Sequence, residues 1–351
     1  MTMPAHGGDI YDYETPLLDF SANLNPLGMP EAVAQAARKA VADSGHYPDP
    51  ECRALRKAIG ALDGVDPGWV FCGNGAAEVI FRLVLACRPR RALITAPTFS
   101  EYAQALEAVD CRVDHWRLSP ERGFQVTEEI LDAIVPGLDM LFLCSPNNPT
   151  GVTVPRERME KIRIRCAQTH TRLVVDECFL PLTDGAGLEA ELKSNPHLFL
   201  LRAFTKSYAI PGLRLGYGLC ADGALLALCR ERGQAWSVSA VAQAAGIAAC
   251  GCRDWPEQAR ALLRRERPRL QAGLERLGLR VWPGEANFLL FRAEGITDLK
   301  ARLVEKGILI RSCANYTGLG PDFYRTAVRI PPENDSLLRA LEEVLTWQKQ
   351  L

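Results

Sequence analysis

Short apolar runs separated by amphipathic helical patterns dominate the stretch between residues 69 and 219. Apolar strands that alternate with helices are typical of βαβ units, which build a mostly parallel sheet. The runs are WVFCG (69–73), ALITAP (92–97), MLFLCSP (140–146), RLVVDE (172–177), LFLLRAF (198–204) and LRLGYGL (213–219). The sequence therefore predicts a large α/β domain with a central sheet of six strands.

The pattern changes after residue 221, where helices predominate. A charged helical pattern near 255–277 predicts a long, partly solvated connecting helix. Beyond it, LRVWPG, NFLLFR, GILIRSC and YRTAVRI alternate with helical patterns near 297–306 and 333–349, which indicates a smaller α+β domain. We predict an N-terminal arm and a helix packing with the small domain (1–45), a large domain (46–250), and a connecting helix with the small domain (251–351).

Charge and cysteine usage exclude several classes of protein. The 351 residues carry 41 Lys plus Arg against 42 Asp plus Glu, a net charge of −1, which favours neither a nucleic-acid nor a membrane-surface partner. The 12 cysteines form no CxxC pair and several lie in apolar runs, so we expect reduced core thiols and no metal site. The chain shows no signal-peptide pattern and no apolar stretch of about 18 residues, which predicts a cytoplasmic location.

The segment RAFTKSYAIPGLRLG (202–216) carries the first chemical signal. Lys206 follows an apolar strand, and Arg214 comes eight residues later. Desolvation and neighbouring cations lower the pKa of such a lysine, which frees its amine for Schiff-base chemistry. A lysine after a strand is more often a solvated loop residue, so the functional interpretation depends on other segments.

Three other segments supply that support. SPNNPTG (145–151) places Asn148 in a turn after an apolar strand, where its amide can face a crevice. LVVDE (173–177) puts Asp176 at the end of a strand so apolar that its carboxylate needs a cationic partner, such as a pyridinium nitrogen. CGNGAAEVIF (72–81) combines a glycine turn with a helix start, which can bind phosphate.

In this order, the segments resemble the fold-type-I aminotransferases that bind pyridoxal phosphate (PLP), over nearly the whole chain. The resemblance implies the PLP-dependent transferase fold, with a mostly parallel sheet in its large domain. It also implies that Lys206 bonds the cofactor, that Asp176 pairs with its ring nitrogen, and that Asn148 binds its ring O3′. The other cofactor-binding residues implied are Gly75, Ala76, Ala77, Thr205 and Arg214 at the phosphate, Phe99 stacked on the ring, and Tyr47 from a second subunit. The Tyr47 contact implies a homodimer with shared active sites.

Two positions depart from the pattern of this family. Ala203 stands where a Ser or Thr often contacts the phosphate, and Phe179 stands where many aminotransferases carry a tyrosine that binds O3′. The loss of that phenol should change the electronics of the cofactor, which favours a reaction other than ordinary transamination.

The segments HGG (6–8), DFSANLNPLG (19–28) and ILIRSCANY (308–316) resemble the threonine-phosphate decarboxylases of cobalamin biosynthesis. This resemblance implies a small phosphorylated amino acid as substrate, with CO2 as a product. It further implies that Arg325 holds the carboxylate and that Arg311, His6 and Asn23 hold the substrate phosphate. Guanidinium groups suit both anions, although either arginine alone is more often a surface ion pair.

Two alternatives remain open. The spacing of Lys206 and Arg214 and the segment YPDP (47–50) also resemble histidinol-phosphate aminotransferases. The other alternative is a regulator or a catalytically silent binding protein of the same fold, against which the complete set of Lys, Asp, Asn and Arg residues argues.

Overall fold

The computed structural model describes residues 6–346, and within that range the strands form sheets of seven, four and two strands. In chain order the strands are β1 (Leu18–Asp19), β2 (Val70–Asn74), β3 (Arg91–Ala96), β4 (Arg112–Arg117), β5 (Met140–Cys144), β6 (Arg172–Asp176), β7 (Leu198–Ala203), β8 (Leu215–Leu219), β9 (Arg280–Trp282), β10 (Phe288–Arg292), β11 (Ile308–Leu309), β12 (Arg311–Ser312) and β13 (Phe323–Ala327). The helices are α1 (Glu31–Ala42), α2 (Arg53–Asp63), α3 (Gly75–Cys87), α4 (Glu101–Glu107), α5 (Ile130–Ala133), α6 (Arg156–Gln168), α7 (Phe204–Ser207), α8 (Gly223–Glu231), α9 (Ala240–Gly251), α10 (Asp254–Arg276), α11 (Leu299–Val304) and α12 (Pro331–Thr346).

The central sheet has the strand order β2-β8-β7-β6-β5-β3-β4. Its strands are parallel except β8, which runs antiparallel to both of its neighbours. β5 and β7 are buried along their whole length, because the sheet is covered on both faces and such strands need continuous apolar sequences. The predicted mostly parallel sheet and α/β class are confirmed.

The strand β4 was absent from the six-strand prediction. Its sequence, RVDHWR, interrupts apolar residues with charges, and it pairs with β3 at the edge of the sheet. The Asp114 carboxylate lies 2.7 Å from the Arg91 guanidinium of β3. Charged side chains are typical of edge strands, because they discourage pairing with another chain. An apolar run is therefore the wrong signal for such a strand.

A second unit follows the long helix α10. Four antiparallel strands, in the order β12-β13-β10-β9, pack with α10 and α12 around a separate apolar cluster. Among the members of this cluster are Leu270 of α10 and Leu341 of α12. The C-terminal α+β arrangement and the connecting helix were both expected from the sequence. The exact domain boundaries stay a prediction.

The N-terminal segment divides its contacts between the two units. β1 pairs in parallel with β11, and the neighbouring Phe20 is buried in the C-terminal cluster. Helix α1, however, packs on α9, and its buried Val33 belongs to the core of the central sheet. The expectation that this helix packs with the small domain is therefore wrong. Both helices are rich in alanine, and small side chains allow close packing of helix against helix.

Candidate active site

The carboxyl ends of the parallel strands meet at one edge of the central sheet, where a cavity of about 320 Å³ opens. Open α/β sheets bind their ligands outside this edge. Most of the predicted site residues line the cavity: His6, Asn23, Ala76, Ala77, Phe99, Asn148, Asp176, Thr205, Lys206, Arg214 and Arg325. Residues that are up to 319 positions apart in the sequence therefore meet in one place.

Lys206 lies on the short helix α7, directly after β7, and its side chain faces the cavity. Burial, together with the Arg325 guanidinium, lowers the pKa of Lys206 to about 8. The amine is still mostly protonated at pH 7, but its uncharged form, which a lysine needs in order to act as a nucleophile or base, is far more accessible than in a solvated lysine.

Asp176 ends β6 and is 5% exposed. Its carboxylate accepts hydrogen bonds from the Tyr102 hydroxyl at 2.5 Å and from the Cys178 backbone N–H at 2.9 Å. Burial raises the pKa of Asp176, whereas these hydrogen bonds and nearby Lys206 oppose that rise. The site therefore holds a desolvated carboxylate that a cationic ring nitrogen would stabilise in its ionised form.

The first turn of α3 forms a cradle with Arg214. Gly75 has φ +81°, and a Cβ added to it would lie 2.7 Å from Arg214 Nη2. A Cβ on Gly216 would lie 2.4 Å from the backbone N of Ala76. These two glycines allow the guanidinium and β8 to approach the helix N-terminus, where backbone N–H groups attract anions. The buried Thr205 lines the same cavity.

These groups match the functional groups of PLP. Lys206 suits the aldehyde, Asp176 suits the pyridine nitrogen, and the cradle of Gly75, Ala76 and Arg214 suits the phosphate. Phe99 lines the same wall, with its ring edge-on to Tyr102 at 5.7 Å.

At the other end of the cavity, two arginines face each other. Arg311 on β12 and Arg325 on β13 are direct partners in the antiparallel pairing, and they are only 7% and 4% exposed. The Arg325 guanidinium donates to the Ser21 carbonyl at 2.7 Å and to the Asn148 side-chain oxygen. With its amide oxygen turned toward Arg325, Asn23 accepts from Nε at 3.1 Å and from Nη1 at 3.2 Å. Asn23, Asn148 and Arg325 therefore lie together, whereas the sequence resemblance grouped Asn23 with Arg311 and His6.

Arg311 lies against the cavity wall without being part of the lining. Its Nη2 donates to Asn315 Oδ1 at 2.8 Å, and its guanidinium stacks over the Tyr316 ring at 5.6 Å. Tyr316 does line the cavity, and its hydroxyl lies 3.2 Å from Asn148 Oδ1. Tyr316 therefore links the two arginines to the cofactor end of the site, a role that the sequence prediction did not assign to it.

Tyr47 also lies outside the lining of its own chain's cavity. Its side chain is 80% exposed and stacks on Trp236, with ring centroids 4.6 Å apart. The predicted contact of Tyr47 with the cofactor phosphate requires a second subunit, and it stays a prediction.

The two departures noted in the sequence lie in the cavity wall. Phe179 and Ala203 both line it, and the Phe179 ring packs edge-on to Phe288 at a centroid distance of 5.0 Å. Cys144 and Cys178 also line it, and burial raises the pKa of both thiols. Raised pKa values keep these thiols protonated and unreactive at neutral pH, so they contribute to packing.

Sequence reasoning also missed the roles of Tyr102 and Glu101. Tyr102 donates a hydrogen bond to Asp176 that the sequence patterns did not predict. Glu101 lines the cavity beside His6. Both contacts join segments that are far apart in the chain, so no local sequence pattern points to them.

Two general features of the described range concern membranes and metals. Within residues 6–346, no helix combines the length and hydropathy needed to cross a membrane. In the same range, no group of three or more His, Cys, Asp or Glu side chains is arranged to hold a metal ion.

Comparison with known proteins places this site in a family. The sequence profile of the aminotransferase class I and II family matches residues 15–341. The chain belongs to this family. It is 43% identical over 352 aligned positions to a Salmonella typhimurium protein named threonine-phosphate decarboxylase, and the alignment covers 97% of each chain. Family membership confirms the expected fold and PLP as the cofactor.

Solved structures show the same relationship. The histidinol-phosphate aminotransferase from Clostridium acetobutylicum superimposes with a TM-score of 0.88 at 28% identity, covering 94% of this chain and 99% of that one. The L-threonine-O-3-phosphate decarboxylase from Porphyromonas gingivalis superimposes with a TM-score of 0.82 at 25% identity, covering 93% of this chain and 99% of that one. The backbone is thus shared by enzymes of two reaction types.

Proposed function

We propose that the chain is a PLP-dependent decarboxylase that converts L-threonine O-3-phosphate into (R)-1-aminopropan-2-yl phosphate and CO2, a step of cobalamin biosynthesis. The observation that carries the proposal is the buried pair of Arg311 and Arg325, which lie directly opposite each other, with Arg325 close enough to Lys206 to lower its pKa. The extended similarity to the Salmonella protein named threonine-phosphate decarboxylase supports the same reaction.

The arginine pair concentrates positive charge at the substrate end of the site. The two residues are direct partners on neighbouring strands, and both guanidinium groups are largely withdrawn from water. Guanidinium groups in this setting suit a substrate that carries both a carboxylate and a phosphate. Arg325, held by Asn23 and Asn148, would bind the carboxylate, while Arg311 and His6 would bind the phosphate together with Asn23.

The cofactor would be held by Lys206, Asp176, Asn148, Phe99 and the phosphate cradle already described. When bound, PLP supplies an electron sink for the charge that develops at the substrate Cα when one of its bonds breaks.

The residues of this chain would decide which bond breaks. By anchoring two anionic groups, Arg311 and Arg325 would turn the substrate so that the bond from Cα to the carboxylate lies perpendicular to the cofactor ring. Loss of CO2 would follow. Lys206, whose pKa of about 8 allows it to carry and release a proton near neutral pH, would then protonate Cα.

A second candidate is a histidinol-phosphate type of aminotransferase. The backbone similarity to the Clostridium enzyme favours it, as does a cavity suited to a phosphorylated amine. In that reaction Lys206 would remove the hydrogen from Cα instead. Phe179, in place of the tyrosine that many aminotransferases use, argues for the decarboxylase.

The two reactions differ in their products and in their need for an acceptor. The purified holoenzyme should release CO2 from L-threonine O-3-phosphate when no 2-oxo acid is present, and the Lys206→Ala variant should release none. Amino transfer from histidinol phosphate to a 2-oxo acid, without CO2 release from threonine phosphate, would overturn the proposal in favour of the second candidate.

The proposal includes a homodimer and a cytoplasmic location. The exposed Tyr47 and Trp236 pair offers an aromatic surface from which Tyr47 would reach the cofactor phosphate of the partner subunit. The cysteines of the chain are all free thiols, and most are buried, which suits a reducing compartment. We also retain the domain limits 1–45, 46–250 and 251–351 as a working division.

A further inference from the structure

His6 and Glu101 form a contact within the lining of the cavity, and Glu101 has no role in the site described so far. His6 Nε2 lies 3.1 Å from Glu101 Oε1, and the His6 ring tilts over Phe99 at a centroid distance of 6.1 Å. Both His6 and Glu101 line the cavity, with side chains 43% and 16% exposed. An ion pair this accessible to water contributes at most about 1 kcal/mol to folding. Stability alone therefore gives little reason for a carboxylate here.

The backbone next to His6 is fixed onto the substrate end of the site. A Cβ on Gly7 would lie 2.1 Å from the Ser21 carbonyl oxygen and 3.2 Å from Arg325 Nη2, so the arm passes too close for any side chain. The Gly8 N–H donates to the Ser21 hydroxyl at 2.7 Å, and that hydroxyl donates to Asp19 at 2.6 Å. The arm thus delivers His6 to the cavity from an anchored backbone.

The electrostatics of Glu101 are unexpected in a cavity built for anions. Asp176 is the other acidic residue among the lining residues, and it belongs to the cofactor end. A carboxylate that faced a doubly anionic substrate directly would repel it. Glu101 instead contacts His6, so its carboxylate faces the imidazole.

We propose that Glu101 is a positioning residue that holds His6 for the substrate phosphate. The proposal rests on the function proposed above. With Nε2–H donated to Glu101, the second ring nitrogen is the one left to donate to a phosphate oxygen. A phosphate at that nitrogen would place the ring between two anionic groups. The same contact joins the N-terminal arm to helix α4.

The direction in which Glu101→Ala changes KM distinguishes the positioning role from simple proximity of Glu101 to the substrate. If Glu101 acts through His6, its removal weakens binding of L-threonine O-3-phosphate, and we expect KM to rise about tenfold with kcat within about twofold. If Glu101 merely faces the substrate, its removal relieves repulsion and KM falls. Glu101→Gln, which keeps an acceptor oxygen without the charge, should fall between wild type and Glu101→Ala.

A double-mutant cycle tests whether the effect passes through His6. In a His6→Ala background, Glu101→Ala should cause no further rise in KM. Binding of unphosphorylated L-threonine, followed by the absorption band of the bound cofactor, should be unchanged by either substitution. Glu107→Ala, an exposed glutamate on the same helix α4, is the matched control and should leave KM unchanged.

The dissociation constant for L-threonine O-3-phosphate, from the same absorption band, gives a readout that does not need turnover. Weaker binding in Glu101→Ala supports the positioning role, whether or not the wild type releases CO2. Absence of CO2 release by the wild type would overturn the proposed function but not the positioning role. Tighter binding in Glu101→Ala, or an equal loss in the His6→Ala background, would overturn the positioning role while CO2 release by the wild type stands.

Discussion

Replacing Lys206 by methionine should stabilise the cofactor-free protein at neutral pH. Burial and Arg325 lower the pKa of Lys206 from 10.5 to about 8, and each pKa unit corresponds to about 1.4 kcal/mol. Below pH 8 the lysine is charged in both the folded and the unfolded chain, so the folded state carries the full cost of up to about 3 kcal/mol. The cost falls as pH rises from about 8 and disappears near 10.5, where the unfolded lysine also loses its proton.

Urea unfolding at fixed protein concentration, at pH 7 and again near pH 10.5, measures this difference. Lys206→Met should exceed the wild type by up to about 3 kcal/mol at pH 7, and the two proteins should converge at the higher pH. Lys39→Met, the same change at an exposed position of α1, serves as the control and should change stability little. A loss of stability in Lys206→Met at pH 7, or an equal gain at both pH values, would refute the reasoning.

Two further substitutions test the surroundings of the cofactor. Tyr102→Phe removes the 2.5 Å hydrogen bond to Asp176 and should weaken PLP binding by about tenfold, measured by equilibrium dialysis, since a hydrogen bond to a charged group contributes about 1.5–3 kcal/mol. As a control, Tyr217→Phe on β8 removes a 2.8 Å hydrogen bond to Asp63 of α2 and should leave PLP binding unchanged. Mixing Tyr47→Phe with Lys206→Ala subunits should restore intact sites in heterodimers, about a quarter of the wild-type number after random exchange, and no recovery of activity would contradict shared sites.

Local sequence patterns were sufficient to predict the elements of the fold that are buried on all sides. The runs at 140–146 and 198–204 are strands buried on both faces, so hydrophobicity alone identified them. The edge strand β4 and the position of α1 depend on neighbours that local pattern does not report. The charges of β4 and the alanines of α1 can be explained only by their packing against β3 and α9.

The candidate site shows the same division. Lys206, Asp176 and Asn148 follow strands, and parallel strands bring their carboxyl ends together, so their meeting could be predicted. The contacts of Glu101 with His6 and of Tyr316 with Asn148 join distant segments through side chains. Such contacts depend on the path of the N-terminal arm and on the loop after β12, which sequence spacing does not fix.

Arg325 connects substrate binding to the chemistry of Lys206. Its positive charge is one cause of the lowered pKa of Lys206, and Asn23, Asn148 and the Ser21 carbonyl, which hold it, carry no charge to offset it. A substrate carboxylate bound to Arg325 would offset that charge, so the Lys206 amine would become more basic while the carboxylate is in place. Loss of CO2 would remove the carboxylate and lower the basicity of the amine at the moment when Cα needs a proton. A single arginine would thereby favour proton uptake by Lys206 before decarboxylation and proton release after it.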